Sequence, residues 1–216
     1  MPPATILPLF PLPDHVLLPG VPVSFRIYEP RYRAMVADLE ELSEDDRWLA
    51  IPRLAEGWKT DYVGAPPFHA VAAAARLLRI QAMEHGQYMI VVEGGLRLRL
   101  AEISSSRPYR LARWAALPDL TPSSEAAMLA AEEVLAKVRV IARRLGDGTE
   151  QLAEMIAGED HVVVADRLAA VLLGGADDRQ RYLEDRDVAH RLADFARYLT
   201  IQLGPGADGK WNFSRN

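Results

Sequence analysis

Residues 19–36, Pro-Gly-Val-Pro-Val-Ser-Phe-Arg-Ile-Tyr-Glu-Pro-Arg-Tyr-Arg-Ala-Met-Val, restrict the fold more than any other stretch. Val21, Val23, Phe25 and Ile27 fall on one side of an extended segment and Ser24, Arg26 and Tyr28 on the other, the period of a half-buried strand. Pro30 stops that strand and suits the first turn of a helix, where its missing N–H is no loss. Glu29 falls at the positive end of the helix, and Tyr32, Met35, Val36 and Leu39 recur at helical spacing. The unit is strand, sharp turn, amphipathic helix. It builds a mixed fold and carries no reaction chemistry of its own.

The flanking sequence extends the β half. Residues 5–27 read as short extended segments broken at Pro11, Pro13 and Pro19-Gly20. The helix from Pro30 is expected to run to about Leu42, with Glu44-Asp45-Asp46 solvating its end, and Trp48–Ile51 is the next strand. Ala55 to Pro67 reads as a loop containing Gly57, Gly64 and Pro66-Pro67, with Trp58 and Tyr62 among polar residues. A meander follows from Val71 to Ala116: Leu77–Ile80, a turn at Glu84–Gln87, then Tyr88–Val92 ending at Gly94-Gly95. Leu96 to Leu100 alternates leucine and arginine, one residue type to each face, and Tyr109–Trp114 is the last strand. Ala72 to Ala75 has helical propensity that competes with a strand there.

At Pro118 the pattern becomes helical. Thr121 is expected to cap a helix with Pro122 in its first turn, burying Met128, Ala131, Leu135, Val138, Ile141 or Ala142, and Leu145, and ending at Gly146-Asp147-Gly148. Further helices are expected at Thr149–Ala157, at Asp160–Leu173, after a cap at Asp177 or Asp178 through Glu184, and at Asp187–Leu203. The last buries Val188, Leu192, Phe195 and Leu199 and stops at Gly204-Pro205. The organisation expected is therefore a β subdomain over 1–118, a helical subdomain over 119–204 and a mobile tail over 205–216.

Composition removes several classes of function. The chain of 216 residues has no cysteine, which excludes disulfides, thiolate metal sites and cysteine nucleophiles and is compatible with a reducing, cytoplasmic setting. The start, Met-Pro-Pro-Ala-Thr-Ile, lacks the basic-then-apolar pattern of a secretory signal, and the uncharged run Tyr62 to Ala75 is too short to span a bilayer, so no membrane association is expected. The net charge of -5 arises in the second half. Through Leu117 there are 13 basic and 13 acidic residues, and 12 and 17 thereafter. A nucleic-acid partner is thus not favoured.

Three pieces in order, Leu7-Pro8-Leu9-Phe10-Pro11-Leu12, Leu18-Pro19-Gly20 and Ile27-Tyr28-Glu29-Pro30-Arg31-Tyr32-Arg33, resemble the amino-terminal substrate-binding domain of the Lon ATP-dependent protease. The resemblance continues through Gly86, Val91-Val92-Glu93-Gly94, Arg97-Leu98-Arg99, Gln180–Glu184 and Arg191-Leu192, and so covers nearly the whole chain up to Gly204. It implies an α+β fold: an N-terminal PUA-like β pseudo-barrel with one amphipathic helix, then a C-terminal helical bundle. It also implies a role in holding polypeptide. One departure stands out. Ala72-Ala73 occupies the place where the family usually has Gly-Thr, and alanine lacks glycine's freedom of backbone approach.

No catalytic constellation emerges. The histidines at 15, 69, 85, 161 and 190 are scattered, so neither a His-Glu-x-x-His zinc site nor any other metal role is expected. Gly-x-Ser-x-Gly is absent, Ser104-Ser105-Ser106 reads as a loop, and Lys59, Lys137 and Lys210 offer no serine–lysine pair. Gly204 to Lys210 approaches a phosphate-cradling loop, but Trp211 stands where Ser or Thr should hold magnesium. No cofactor is expected.

The leading reading is a non-enzymatic polypeptide-recognition protein, working on unfolded or flexible chains and in company with a protease or other protein. Its candidate contact residues are Trp58 and Tyr62, with Tyr28 and Tyr32 from the family-like motif; the plain alternative for Trp58 and Tyr62 is that they cover an open end of the barrel. A second reading is an RNA-binding module using the arginine face Arg97, Arg99, Arg110 and Arg113, with Arg107 nearby, plus stacking on Tyr109 and Trp114. The preferred account of that face is a solvated strand surface paired with acids from the helical half. A third reading is an adaptor or dimer acting through the helices, and an enzyme of unknown type is the fourth.

Overall fold

The computed structural model describes residues 2, 4–145 and 160–203, in two units that adjoin in sequence between Pro118 and Asp119. Outside the described residues lie the expected helix ends at Gly146–Gly148 and Gly204-Pro205, the expected helix Thr149–Ala157, the tail from Pro205 and the phosphate-loop look-alike ending at Trp211. Among the described residues, no helix is long and apolar enough to cross a membrane.

The first unit contains β1 (Ile6–Pro8), β2 (Pro22–Ile27), α1 (Pro30–Glu40), β3 (Trp48–Ile51), β4 (Val71–Ala82), β5 (Tyr88–Ile103) and β6 (Leu111–Ala116). The strands form one antiparallel sheet in the order β1-β6-β5-β4-β3, with β2 paired to β5 off that path. Isolated parallel bridges at Leu9↔Ala50 and Leu12↔Arg53 connect the segment after β1 with β3 and the residues that follow it. The strand-turn-helix unit is present as read. Val23, Phe25 and Ile27 turn inward from β2, and α1 buries Tyr32, Met35, Val36 and Leu39.

β5 departs from expectation, because Gly94-Gly95 does not end a strand. The strand runs through sixteen residues, pairing with β2 up to Glu93 and with β6 from Leu98, while β4 flanks it on the other side. The glycines sit at this change of partner, and they are there for room. A Cβ on Gly94 would lie 2.1 Å from the Leu18 carbonyl oxygen, and one on Gly95 would lie 3.0 Å from Trp48 Cζ3. Ala72 to Ala75 belong to β4 and are almost wholly buried. Ala72 and Ala74 join a core of Leu7, Leu9, Trp48, Ala50, Leu98, Leu100 and Ala112, so burial on a pleated surface overrides helical propensity there.

The second unit contains α2 (Glu125–Leu145), α3 (His161–Leu172), α4 (Ala176–Glu184) and α5 (Val188–Leu203). The cap of α2 is Ser124, whose Oγ accepts the Ala127 N–H at 3.1 Å; Thr121 lies outside the helix in the left-handed region at φ 47°. The buried stripe runs through Ala127, Ala131, Val134, Leu135, Val138 and Ile141, and Met128 is exposed. The spacing put Met128 in this stripe, but it is 49% exposed and the adjacent Ala127 is buried instead. α4 follows Gly175 without a side-chain cap from Asp177 or Asp178. α5 buries Val188, Leu192, Phe195 and Leu199 as read, and Asp187 Oδ1 accepts the His190 N–H at 3.1 Å.

A buried ion network holds this unit. Arg191, with its side chain fully excluded from solvent, donates two 2.8 Å hydrogen bonds to Asp119 and others to Asp166 at 3.0 and 3.2 Å. Tyr182 donates to the same Asp166 at 2.7 Å. Burial alone would lower the pKa of Arg191, but Asp166 and Asp119 reverse the effect and raise it. The network ties the start of the unit, at Asp119, to α3, α4 and α5.

Candidate functional site

The loop of residues 55–67 is shaped locally by two glycines. Gly57 takes the left-handed conformation at φ 86° and opens a 3₁₀ turn over Trp58–Thr60. Gly64 leaves space for the Asp61 carboxylate, which accepts the Ala65 N–H at 3.1 Å; a Cβ at Gly64 would lie 2.2 Å from that carboxylate.

The loop is then clamped to the start of α1. Glu29 makes no side-chain cap to the helix that follows it. Instead its carboxylate accepts Tyr62 Oη–H at 2.6 Å through Oε1 and Arg31 Nε–H at 3.0 Å through Oε2. Arg31 also donates to the Tyr62 carbonyl at 3.3 Å and the Val63 carbonyl at 3.4 Å. Its guanidinium lies 4.6 Å from the Tyr32 ring centre and 5.0 Å from that of Tyr62, and Tyr62 meets Trp58 edge-to-face at 5.6 Å. Burial, then the Glu29 hydrogen bond, raises the pKa of Tyr62.

The clamp fixes a half-buried aromatic pair and leaves apolar surface in solvent. Val63 is 88% exposed and Tyr28, just before Glu29, is 62% exposed. Of the four aromatic candidates, Trp58 and Tyr62 are brought into contact, and Tyr28 stands on the surface at the end of β2. Tyr32 is only 4% exposed and packs edge-to-face on Phe10 at 4.8 Å, so it supports the clamp from beneath rather than presenting a contact surface. Sequence reasoning passed over Glu29, Arg31 and Val63 as loop-site residues. The Glu29–Tyr62 contact spans thirty-three positions, and in sequence a helix start explains Glu29 completely.

The arginine face is less basic than its sequence. Arg97 is 5% exposed, although strand alternation put it with Arg99 on the outside. Arg110 is held by both oxygens of Glu102 at 2.6 and 2.7 Å, by the Pro66 carbonyl at 2.7 Å, and lies 4.7 Å from the Phe68 ring centre. Arg107 and Tyr109 both donate to Asp38 at 2.5 Å, and burial with that carboxylate pushes the Tyr109 hydroxyl up to about 12. These acids belong to the first unit, not to the helical half. Arg99 and Arg113 remain exposed, on neighbouring strands.

Comparison with known proteins gives a consistent result over most of the chain. The family model for the ATP-dependent protease La (LON) substrate-binding domain matches residues 6–200. Lon protease 2 of Myxococcus xanthus is 26% identical over 191 residues, 87% of this chain and 22% of that protein. Lon protease of Anaeromyxobacter dehalogenans is 24% identical with the same coverage. The chain thus spans 22% of the length of these curated relatives. Among solved structures, the N-terminal domain of Mycobacterium avium complex Lon protease superposes with a TM-score of 0.71 at 18% identity, covering 90% of this chain and 98% of that one. A Lon N-terminal domain protein from Xanthomonas campestris gives 0.63 at 21% identity, covering 90% and 99%.

Proposed function

The chain belongs to the Lon substrate-binding domain family, and from that premise we propose that it recognises unfolded or flexible polypeptide on the clamped aromatic loop of its first unit, by binding and without chemistry of its own. The observation that carries this reading is the Glu29–Arg31–Tyr62 clamp. It orders Trp58 and Tyr62 while Val63 and Tyr28 remain in solvent. Ordered aromatic and aliphatic surface binds apolar segments with little loss of side-chain freedom, and a shallow surface tolerates many sequences. The first unit is read as a PUA-like pseudo-barrel, supported by the bridges from Leu9 and Leu12 toward β3, and the second as a helical bundle. A cytoplasmic setting and cooperation with a protease belong to the same proposal.

Titration of a fluorescently labelled, denatured model protein with the purified chain tests it. Saturable anisotropy change at micromolar concentration, indifferent to ATP, is expected; a flat titration at high protein concentration removes the proposal.

A second reading, an adaptor or dimer working through the helices, is favoured by one observation. Met128 at 49%, Leu129 at 60% and Val140 at 40% exposure leave apolar surface along α2. Light scattering that finds only monomer at high concentration would remove self-association.

A further inference from the structure

The second unit contains a cleft of about 640 Å³ between α4 and α5 that the loop site does not use. Its floor is apolar: Leu173, Tyr182 and Phe195 are buried, Phe195 stacks with Tyr198 at 6.5 Å and meets Tyr182 edge-to-face at 6.0 Å. Tyr198 is anchored by accepting the Gly174 N–H at 3.0 Å through its hydroxyl, and Ile201 extends the apolar surface at 68% exposure. The rim is charged. Asp178, Glu184, Asp185 and Asp194 outnumber the exposed arginines Arg181 and Arg197, and His190 also stands on the rim, hydrogen-bonded to Asp185 and 3.9 Å from Asp194. Arg191 also reaches the lining, but its charge is already matched by Asp119 and Asp166.

Both exposed arginines are tied to their own helices, Arg181 to Asp178 and Arg197 to Asp194, at i,i+3 spacing. Their side chains are 78% and 72% exposed, so these pairs are weak and easily exchanged for an incoming cation. An aromatic floor under an acidic rim selects a large apolar side chain flanked by positive charge.

We propose that this cleft is a second polypeptide-contact site, one that takes a flexible segment bearing an aromatic or large aliphatic residue beside arginine or lysine. The inference rests on the reading of the chain as a polypeptide binder and adds the sequence class that the helical unit prefers. The apolar side chain lies on Tyr198 and Ile201, over the buried Phe195, and the neighbouring cation displaces Arg181 or Arg197 from its carboxylate.

The test uses the full chain and a labelled glycine–serine peptide containing one phenylalanine beside two arginines, at low salt, with circular dichroism verifying each variant's fold. In the double variant Asp178→Lys with Asp194→Lys, affinity is expected to fall at least tenfold. The variant Arg181→Glu with Arg197→Glu, whose changes lie on largely exposed side chains, is expected to bind several-fold more tightly. Replacing the peptide's arginines with glutamates, or its phenylalanine with serine, is expected to weaken binding at least tenfold. Affinities within twofold across the three proteins, or equal affinity for the arginine and glutamate peptides, overturn the proposal. A denatured model protein titrated in parallel separates the two readings. If it binds all three proteins alike while the peptide ignores the cleft variants, only the cleft fails. If the wild-type chain binds neither ligand, both fail.

Discussion

At the scale of single residues, the side chains that do most to fix this molecule are those whose partners lie far away in sequence. Arg191 was legible only as part of an Arg-Leu pair resembling the family; nothing in the sequence indicated that it would be fully buried against Asp119 and Asp166. Removing it leaves two carboxylates without their cation. Arg191→Leu is therefore expected to destabilise the second unit by about 3–5 kcal/mol, measured by denaturant unfolding. His190 illustrates a smaller effect. Its ring, hydrogen-bonded to Asp185 at 2.5 Å with Asp194 and Asp187 near, has a pKa raised above 6.5. A raised folded-state value contributes stability that is fully present below pH 6.5 and lost as pH rises through the raised value. The unfolding midpoint is expected to decline slightly over that window, and His190→Gln is expected to flatten the decline. An unchanged slope in the variant would assign the pH dependence to another group.

At the scale of elements, periodicity identified the strands and helices well where one face is buried and the other solvated. β2, α1 and α5 follow their apolar spacing closely, because a single buried face decides both pattern and structure. Three features were illegible for physical reasons. Gly94-Gly95 looks like a strand end in sequence, yet it serves close backbone approach inside a long strand. Met128 was read into the buried stripe of α2, yet it is 49% exposed and its neighbour Ala127 is buried, a rotation of the helix face by one residue that apolar spacing alone does not fix. Arg97 alternates as an outward residue but is covered. The first of these gives a sharp expectation. Gly94→Ala places a methyl group against the Leu18 carbonyl and should cost ~3 kcal/mol, visible as a lowered thermal midpoint of the first unit. A variant as stable as the parent would mean that the strand crossing is not tightly packed.

At the scale of the whole chain, family and α+β class were readable because several short motifs recur in fixed order from Leu7 to Leu192, and the match over residues 6–200 agrees. The candidate site was only half readable. Trp58 and Tyr62 drew notice as aromatics in a Gly/Pro-rich loop, but the clamp that orders them joins residues about thirty positions apart, beyond any local pattern. Val63, the most solvent-exposed large hydrophobic among the described residues, gave no sequence signal at all. Since it touches so little of its own protein, a change there alters the surface and spares the fold. Val63→Asp is therefore the most direct probe of the central claim. In parallel anisotropy titrations with denatured polypeptide, the parent should bind saturably and Val63→Asp should bind at least fivefold more weakly at an unchanged thermal midpoint. Identical binding curves for the two proteins would contradict the claim that this loop holds polypeptide.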